Sequence, residues 1–273
     1  MDLRERNTSP VTSVSALRIS TAETGDPAVQ EDVCVVRETP VKIDVEGVET
    51  YTVLCTPADK LALAVGFLFS EGVIERMSEV AVLKQCDDDD STVRVRLTGG
   101  VPRIDGKGRN LLIVSSCGAC GSEELEEKIG SLPAAGDSLQ IDAALLREIN
   151  DTLRSRQSLF EACGGTHAAA LFDAAGQVLS SAEDTGRHNA LDKAVGKCLL
   201  EGVPTAGLGA ALSGRVSLEM VTKCARAGIE LITAISAPTS LAVEVADRCN
   251  ITLCAFVRDT RATIFTHPRR LSR

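Results

Sequence analysis

Two cysteines at C-x-x-C spacing, Cys117 and Cys120, close the run Leu111-Leu112-Ile113-Val114-Ser115-Ser116-Cys117-Gly118-Ala119-Cys120-Gly121. The run starts apolar, as a strand would, and ends in small residues. Ser122-Glu123-Glu124-Leu125-Glu126-Glu127-Lys128 follows as the first turns of a helix, with Ser122 as its cap. Thiols on a glycine-bearing loop suit nucleophilic chemistry, since the thiolate is the reactive form and a helix start favours it. The glutamates of that turn oppose the effect. A C-x-x-C pair also serves as a redox disulfide or as half of a structural zinc site, and occasionally as neither. Cys163-Gly164-Gly165-Thr166-His167 contains a C-x-x-x-H pair that would complete a Cys₃His zinc site with Cys117 and Cys120. A zinc nucleoside deaminase needs H-x-E followed by P-C-x-x-C. His167-Ala168-Ala169 lacks the glutamate and no proline precedes Cys117, which argues against deamination. A thioredoxin-like dithiol has the order strand, C-x-x-C, helix, but here the pair lies mid-chain.

The elements that must position these groups fall on either side of the loop. Residues 1–27 are rich in Ser, Thr, Glu and Pro without periodicity and read as a mobile tail. Over 28–112 short alternating runs (33–38, 41–48, 51–55, 81–84, 92–97) predict a β-rich domain with one helix. Thr56 and Pro57 read as that helix's cap and first residue, and Gly72 as its stop. Asp87 to Asp90 lacks the spacing of an EF-hand loop and reads as a solvated turn. Residues 113–136 are the reactive loop and a connector. From 137 to 273, strands and helices alternate, as βαβ units around a mixed sheet require. Asp142 reads as a cap, residues 171–179 as a hairpin, and Ser217 and Ser240 as helix starts. Ligands gather beyond the carboxyl ends of parallel strands. Those positions hold Ser213-Gly214-Arg215, Ser236-Ala237-Pro238-Thr239-Ser240 and Arg258-Asp259-Thr260-Arg261, residue types suited to phosphate.

The chain has 273 residues, 44% of them hydrophobic and 25% charged, within the range of globular proteins. A net charge of −9 and an aromatic fraction of 3% argue against a general nucleic-acid surface while leaving room for a local basic pocket. Ten cysteines without a secretory leader read as reduced, mostly buried thiols of a cytoplasmic protein. No apolar run reaches membrane-spanning length.

Taken together, these segments resemble the FdhD/NarQ family of formate dehydrogenase accessory sulfurtransferases. Carrying the resemblance are Ser115-Ser116-Cys117-Gly118-Ala119-Cys120-Gly121, Gly164-Gly165-Thr166-His167-Ala168-Ala169, and Glu183-Asp184-Thr185-Gly186-Arg187-His188-Asn189-Ala190-Leu191-Asp192-Lys193. Ser213-Gly214-Arg215 and Ser236-Ala237-Pro238-Thr239-Ser240-Leu241-Ala242 extend it, over about residues 32 to 267. The resemblance implies an α/β (α+β overall) fold whose C-terminal domain is cytidine-deaminase-like without the zinc. It implies a sulfur carrier that takes a persulfide from a cysteine desulfurase and delivers sulfur to the bis-pterin-guanine-dinucleotide (bis-molybdopterin guanine dinucleotide) Mo or W cofactor of formate dehydrogenase. Cys117 is then the carrier, with Cys120 relaying sulfur or releasing product. Phe256, Val257, Arg258, Asp259, Thr260 and Arg261 form the family-suggested site for the cofactor, and a homodimer and no metal of its own are expected. Arg187, Arg215 and Lys193 are further candidates from position. His167 and His188 tune the thiol or hold the loop, with holding preferred.

Overall fold

The computed structural model describes residues 9–21, 28–99, 126, 129–258 and 260–272. Cys117, Cys120, most of the 113–136 segment and Asp259 lie outside the described residues. Strands β1 (Val11–Arg18) and β2 (Val29–Val36) form an antiparallel ribbon, Val11 opposite Val36. Part of the stretch read as a tail is therefore a strand. Its Ser/Thr content hid it, because neither face of the ribbon is fully buried and no apolar alternation results.

Strands β3 (Thr39–Val45), β4 (Glu49–Cys55), β5 (Val80–Gln85) and β6 (Thr92–Leu97) make a second sheet in the order β4-β3-β6-β5. Their alternation is a clean period of two: Val41, Ile43, Val45, Tyr51, Val53, Cys55, Val93 and Val95 point inward. Helix α1 (Lys60–Ser70) covers that face and is apolar nearly all round, because it is covered on its other side as well. Thr56 does not cap it. The residue before the helix is Asp59, in the left-handed conformation, and Thr56 is drawn into the junction with the C-terminal half. Asp87 to Asp90 form a turn in which Asp89 accepts from Ser91 and Thr92.

A two-residue strand β7 (Ile141–Asp142) runs parallel to the chain's last strand. Helices α2 (Leu145–Ser155) and α3 (Ser158–Cys163) follow, then β8 (His167–Phe172), β9 (Val178–Asp184) and α4 (Arg187–Leu200). Next come β10 (Gly209–Leu212), α5 (Leu218–Arg226), β11 (Leu231–Ala234), α6 (Ser240–Arg248), β12 (Thr252–Arg258) and β13 (Arg261–Thr266). The last strand, β14 (Leu271–Ser272), pairs with β7. The large sheet has the order β13-β12-β11-β10-β8-β9. It is mixed, as expected: β10, β11 and β12 are parallel, while β8, β9 and β13 pair antiparallel. Leu146, Ile149 and Leu153 of α2 cover one face together with Phe172 and Val257. On the other face α4, α5 and α6 bury Leu191, Val195, Met220, Val221 and Val245.

The halves meet at the crossing of α1 and α4. A Cβ added to Gly66 would lie 1.8 Å from the Asp192 carbonyl oxygen, and one added to Gly196 would lie 1.9 Å from that of Ala62. Backbone touches backbone there, and only glycine permits it.

Candidate functional site

Strands β9, β10, β11 and β12 all run the same way, so their carboxyl ends open on one rim of the large sheet. The antiparallel β8 and β13 bring their first residues, His167 and Arg261, to the same rim. The rim loops are tied together through backbone. Val216 donates to Ala237 O at 3.1 Å and Thr239 to Val216 O at 2.9 Å, while Phe256 N–H reaches Ser236 O at 3.3 Å. Ser213 and Ala168 exchange two bonds, Ser213 N–H to Ala168 O at 3.0 Å and Ala168 N–H to Ser213 Oγ at 2.8 Å. Thr239, not Ser240, caps α6 by accepting from Ala242 N–H at 3.3 Å. The Ser217 hydroxyl makes no cap bond and lies 3.4 Å from His188 Nε2 instead.

At one end of the rim stands the 256–261 stretch. Phe256 has φ of 54° at a register shift between β12 and β13, which turns its ring outward beside Phe265, centroids 6.3 Å apart. Arg258 and Arg261 are exposed and paired across the strands; Thr260 is exposed between them. Val257 points into the core and offers the site only its backbone.

Around β8, β9 and β10 lie His167, Arg187, His188, Gly214 and Arg215. His188 is buried, and its Nε2 lies 2.8 Å from Glu219 Oε2. That hydrogen bond, with Arg187 adding to it, holds the Glu219 carboxyl below its usual range against the effect of burial. The His188 ring is thus tied to the first turn of α5. His167 makes no ring hydrogen bond among the described residues. Burial first, then the charges of Arg187, His188 and Arg215, push it below the ordinary imidazole range, with Asp184 opposing.

The turn carrying Arg187 is anchored by Asp184. Its Oδ1 accepts from Gly186 N–H at 2.8 Å, Asn189 Nδ2 at 3.0 Å and Thr185 Oγ1 at 3.2 Å. Its Oδ2 accepts from Thr56 N–H at 3.0 Å and lies 2.6 Å from Lys193 Nζ. Thr185 N–H returns a bond to Thr56 Oγ1, and Asn189 reaches Leu54 O, so the N-terminal half fixes the turn. Lys193 is wholly buried in that knot, an ion-paired strut rather than a phosphate ligand. A second knot joins the halves through Ser70–Asp192 at 2.7 Å, Lys223–Asp192 at 2.9 Å and Lys223–Glu71 at 3.3 Å.

Sequence reasoning placed all three rim loops correctly and quoted Asp184 inside a motif without assigning it a role. Gly214 was quoted within Ser213-Gly214-Arg215 without a role of its own, while Glu219 and Phe265 carried no sequence signal. Of the expected Cys₃His set, Cys117 and Cys120 lie outside the described residues. The Cys163 thiol donates to Leu159 O at 3.0 Å, and among the described residues no group of three or more His, Cys, Asp or Glu could hold a metal.

The FdhD/NarQ family model matches residues 36–272. The sulfur carrier protein FdhD of Bordetella parapertussis is 40% identical over 242 residues, 87% of this chain and 87% of that one. Its counterpart in Saccharolobus solfataricus is 40% identical over 220 residues, 80% of this chain and 82% of that one. Among solved structures, a protein from Desulfotalea psychrophila provisionally assigned as a formate dehydrogenase accessory protein superimposes with a TM-score of 0.75. It is 23% identical, and the match covers 97% of this chain and 100% of that one. At that identity the likeness speaks for the fold.

Proposed function

The chain belongs to the FdhD/NarQ family, and from that premise we propose that it carries sulfur from a cysteine desulfurase, on Cys117, to the bis-pterin-guanine-dinucleotide Mo or W cofactor of a formate dehydrogenase. The cofactor is cargo in this reading, not a resident group. The Cys117 thiolate attacks the terminal sulfur of the donor's persulfide. A new S–S bond forms on Cys117, the donor's S–S bond breaks, and the donor cysteine leaves as thiolate. Delivery as sulfide needs two electrons, which the second thiol supplies. The Cys120 thiolate attacks Cys117 Sγ, a Cys117–Cys120 disulfide forms, and the outer sulfur leaves as hydrosulfide toward the metal. A dithiol reductant then resets the pair.

The observation that carries the reading is the rim. Arg187, Arg215, Arg258 and Arg261 gather there without an ion pair among the described residues. A chain of net charge −9 has carboxylates in surplus, so four unpaired guanidinium groups on one edge suit an anionic cargo. Phe256 offers an exposed ring beside Arg258, Thr260 and Arg261, a setting suited to a pyrophosphate attached to an aromatic base. The names of the curated relatives support the sulfur-transfer class. The homodimer belongs to the same proposal: β13 is an open sheet edge that exposes Ile264 and Phe265.

Intact-protein mass spectrometry after incubation with a cysteine desulfurase and cysteine tests this. Wild type should gain one sulfur atom, Cys117→Ala none, and Cys120→Ala should gain sulfur but fail to release it. No gain on wild type, with zinc retained in the native spectrum, would favour a zinc-stabilised binding module. A reversible Cys117–Cys120 disulfide formed without any donor would favour a dithiol oxidoreductase. The native spectrum also reads the oligomeric state.

A further inference from the structure

The sulfur-carrier reading leaves the ribbon of β1 and β2 without a role. β1 lies outside residues 36–272, which the family model matches. Two antiparallel strands alone are marginally stable in water, and further strands are needed to secure them. β1 pairs with β2 on one side, and among the described residues no strand lies on its other side. Among those residues no element other than β2 packs along it. Val14 stays 47% exposed and Leu17 60%, and Val29 and Val33 of β2 are exposed as well.

The two strands differ in how they are guarded. β2 carries Glu31 and Asp32 in mid-strand, and charges so placed keep other strands from an edge. β1 carries no charge, proline or glycine from Val11 to Leu17. Its guards stand at the ends, Pro10 before the run and Arg18 after it, the latter paired with Glu31 at 2.8 Å. Proline cannot donate to a ladder, so pairing ends there. Pro10 and Arg18 each lie four residues from Val14, which makes the unguarded run symmetric about that residue.

We infer that β1 pairs edge to edge with β1 of a second copy of this chain, antiparallel, across a two-fold axis at Val14. The register follows from the pleat. A two-fold perpendicular to the ribbon keeps every side chain on its own face, and residues opposite each other share a face. The axis must then pass between a residue and its own copy, because a slip of one would set opposite faces together. Centred on Val14, the pairing sets Ser13 opposite Ser15, Thr12 opposite Ala16 and Val11 opposite Leu17, with Pro10 and Arg18 closing both ends. Exposed Leu17 gains an apolar neighbour in Val11. Val14, which lies opposite Val33 within the ribbon, extends that pair into one apolar strip across both copies. Four continuous strands result, in the order β2-β1-β1-β2, and they meet the need for further strands. The contact is isologous and closes on itself. A charged strand of another protein would find no counter-charge along this run, whereas the run complements itself.

The inference rests on neither the sulfur-carrier reading nor the open edge of β13, and its test keeps them apart. Sedimentation velocity is run on the full chain carrying Ile264→Asp, which places a charge on the β13 edge. That chain should be dimeric at about 100 µM and dissociate on dilution, as a small interface does. Adding Val14→Asp sets like charges opposite each other and should weaken the dimer about tenfold or more. Val14→Lys should do the same, and an equimolar mixture of the two variants should dimerise again, which also shows that both are folded. Under mild oxidation Val14→Cys should form a disulfide with its own copy. Leu17→Cys should not, since this register holds it roughly 20 Å from its copy. A monomeric Ile264→Asp chain would overturn the inference. So would a dimer that Val14→Asp leaves intact, or a mixture that stays monomeric. Failure of the sulfur-carrier reading registers separately, in the Cys117 mass experiment.

Discussion

In the proposed function, sulfur directed to Cys117 must avoid nine other cysteines of the ten in the chain, and the fold accounts for five of them. Cys55, Cys198, Cys224, Cys249 and Cys254 are buried. Burial pushes the thiols of Cys55, Cys224 and Cys254 up to about 12 and raises those of Cys198 and Cys249. A thiol in that range stays protonated near neutral pH and is a poor nucleophile. N-ethylmaleimide labelling of the native protein at about pH 8, followed by peptide mapping, should therefore leave all five unmodified. Labelling of Cys254 without unfolding would contradict its place in β12. Its burial was legible, since Thr252-Leu253-Cys254-Ala255-Phe256 reads as an apolar strand. The different fates of Arg187 and Lys193 were not. Both are basic, six positions apart on α4, and both matched a phosphate-binding reading. Only tertiary packing shows that Asp184 and Thr56 claim Lys193 and leave Arg187 facing the rim.

Helices with one apolar stripe were readable, because a period of 3.6 needs no knowledge of the partner. Leu146, Ile149 and Leu153 of α2 and Leu191 and Val195 of α4 all point inward as their spacing requires. Helix α1 broke that logic, being buried on both sides, and its start was misplaced to Thr56 for the same reason: the junction, not the local sequence, decides what Thr56 bonds. The crossing of α1 with α4 was invisible, since nothing in Gly66 or Gly196 announces that each lies against a backbone carbonyl. That contact predicts a graded response. In Gly196→Ala the new Cβ meets Ala62 O at 1.9 Å, so the helices must separate, at a cost of about 3 kcal/mol. Gly202→Ala adds a Cβ to open space and strains only a φ of +70°, for about 1 kcal/mol. Urea denaturation should give Gly196→Ala the lower midpoint. Equal midpoints would mean that the helices are not in backbone contact.

At the scale of the molecule, reading residues 28–112 and 137–273 as separate domains meets a junction that argues for one cooperative body. The N-terminal half contributes Thr56, Ser70 and Glu71 to two knots of charge whose other members, Asp184, Lys193, Asp192 and Lys223, belong to the C-terminal half. Parting the halves would strip partners from these groups and uncover α1, whose apolar surface no single sheet can bury. The same junction holds the turn of Arg187, so the shape of the rim depends on the N-terminal half even though the rim residues all lie in the C-terminal one. Each half carries its own reporter. Tyr51 is the chain's one tyrosine, there is no Trp, and it sits in the N-terminal sheet against Phe67 at 5.2 Å; Cys254 lies in the middle of the large sheet. Tyr51 fluorescence and the reactivity of Cys254 toward a thiol reagent, followed through urea unfolding, should therefore report coincident midpoints. Were Tyr51 to unfold at a lower urea concentration while Cys254 stayed protected, the junction would be an interface between independent domains, and Arg187 would be aimed by the C-terminal half alone.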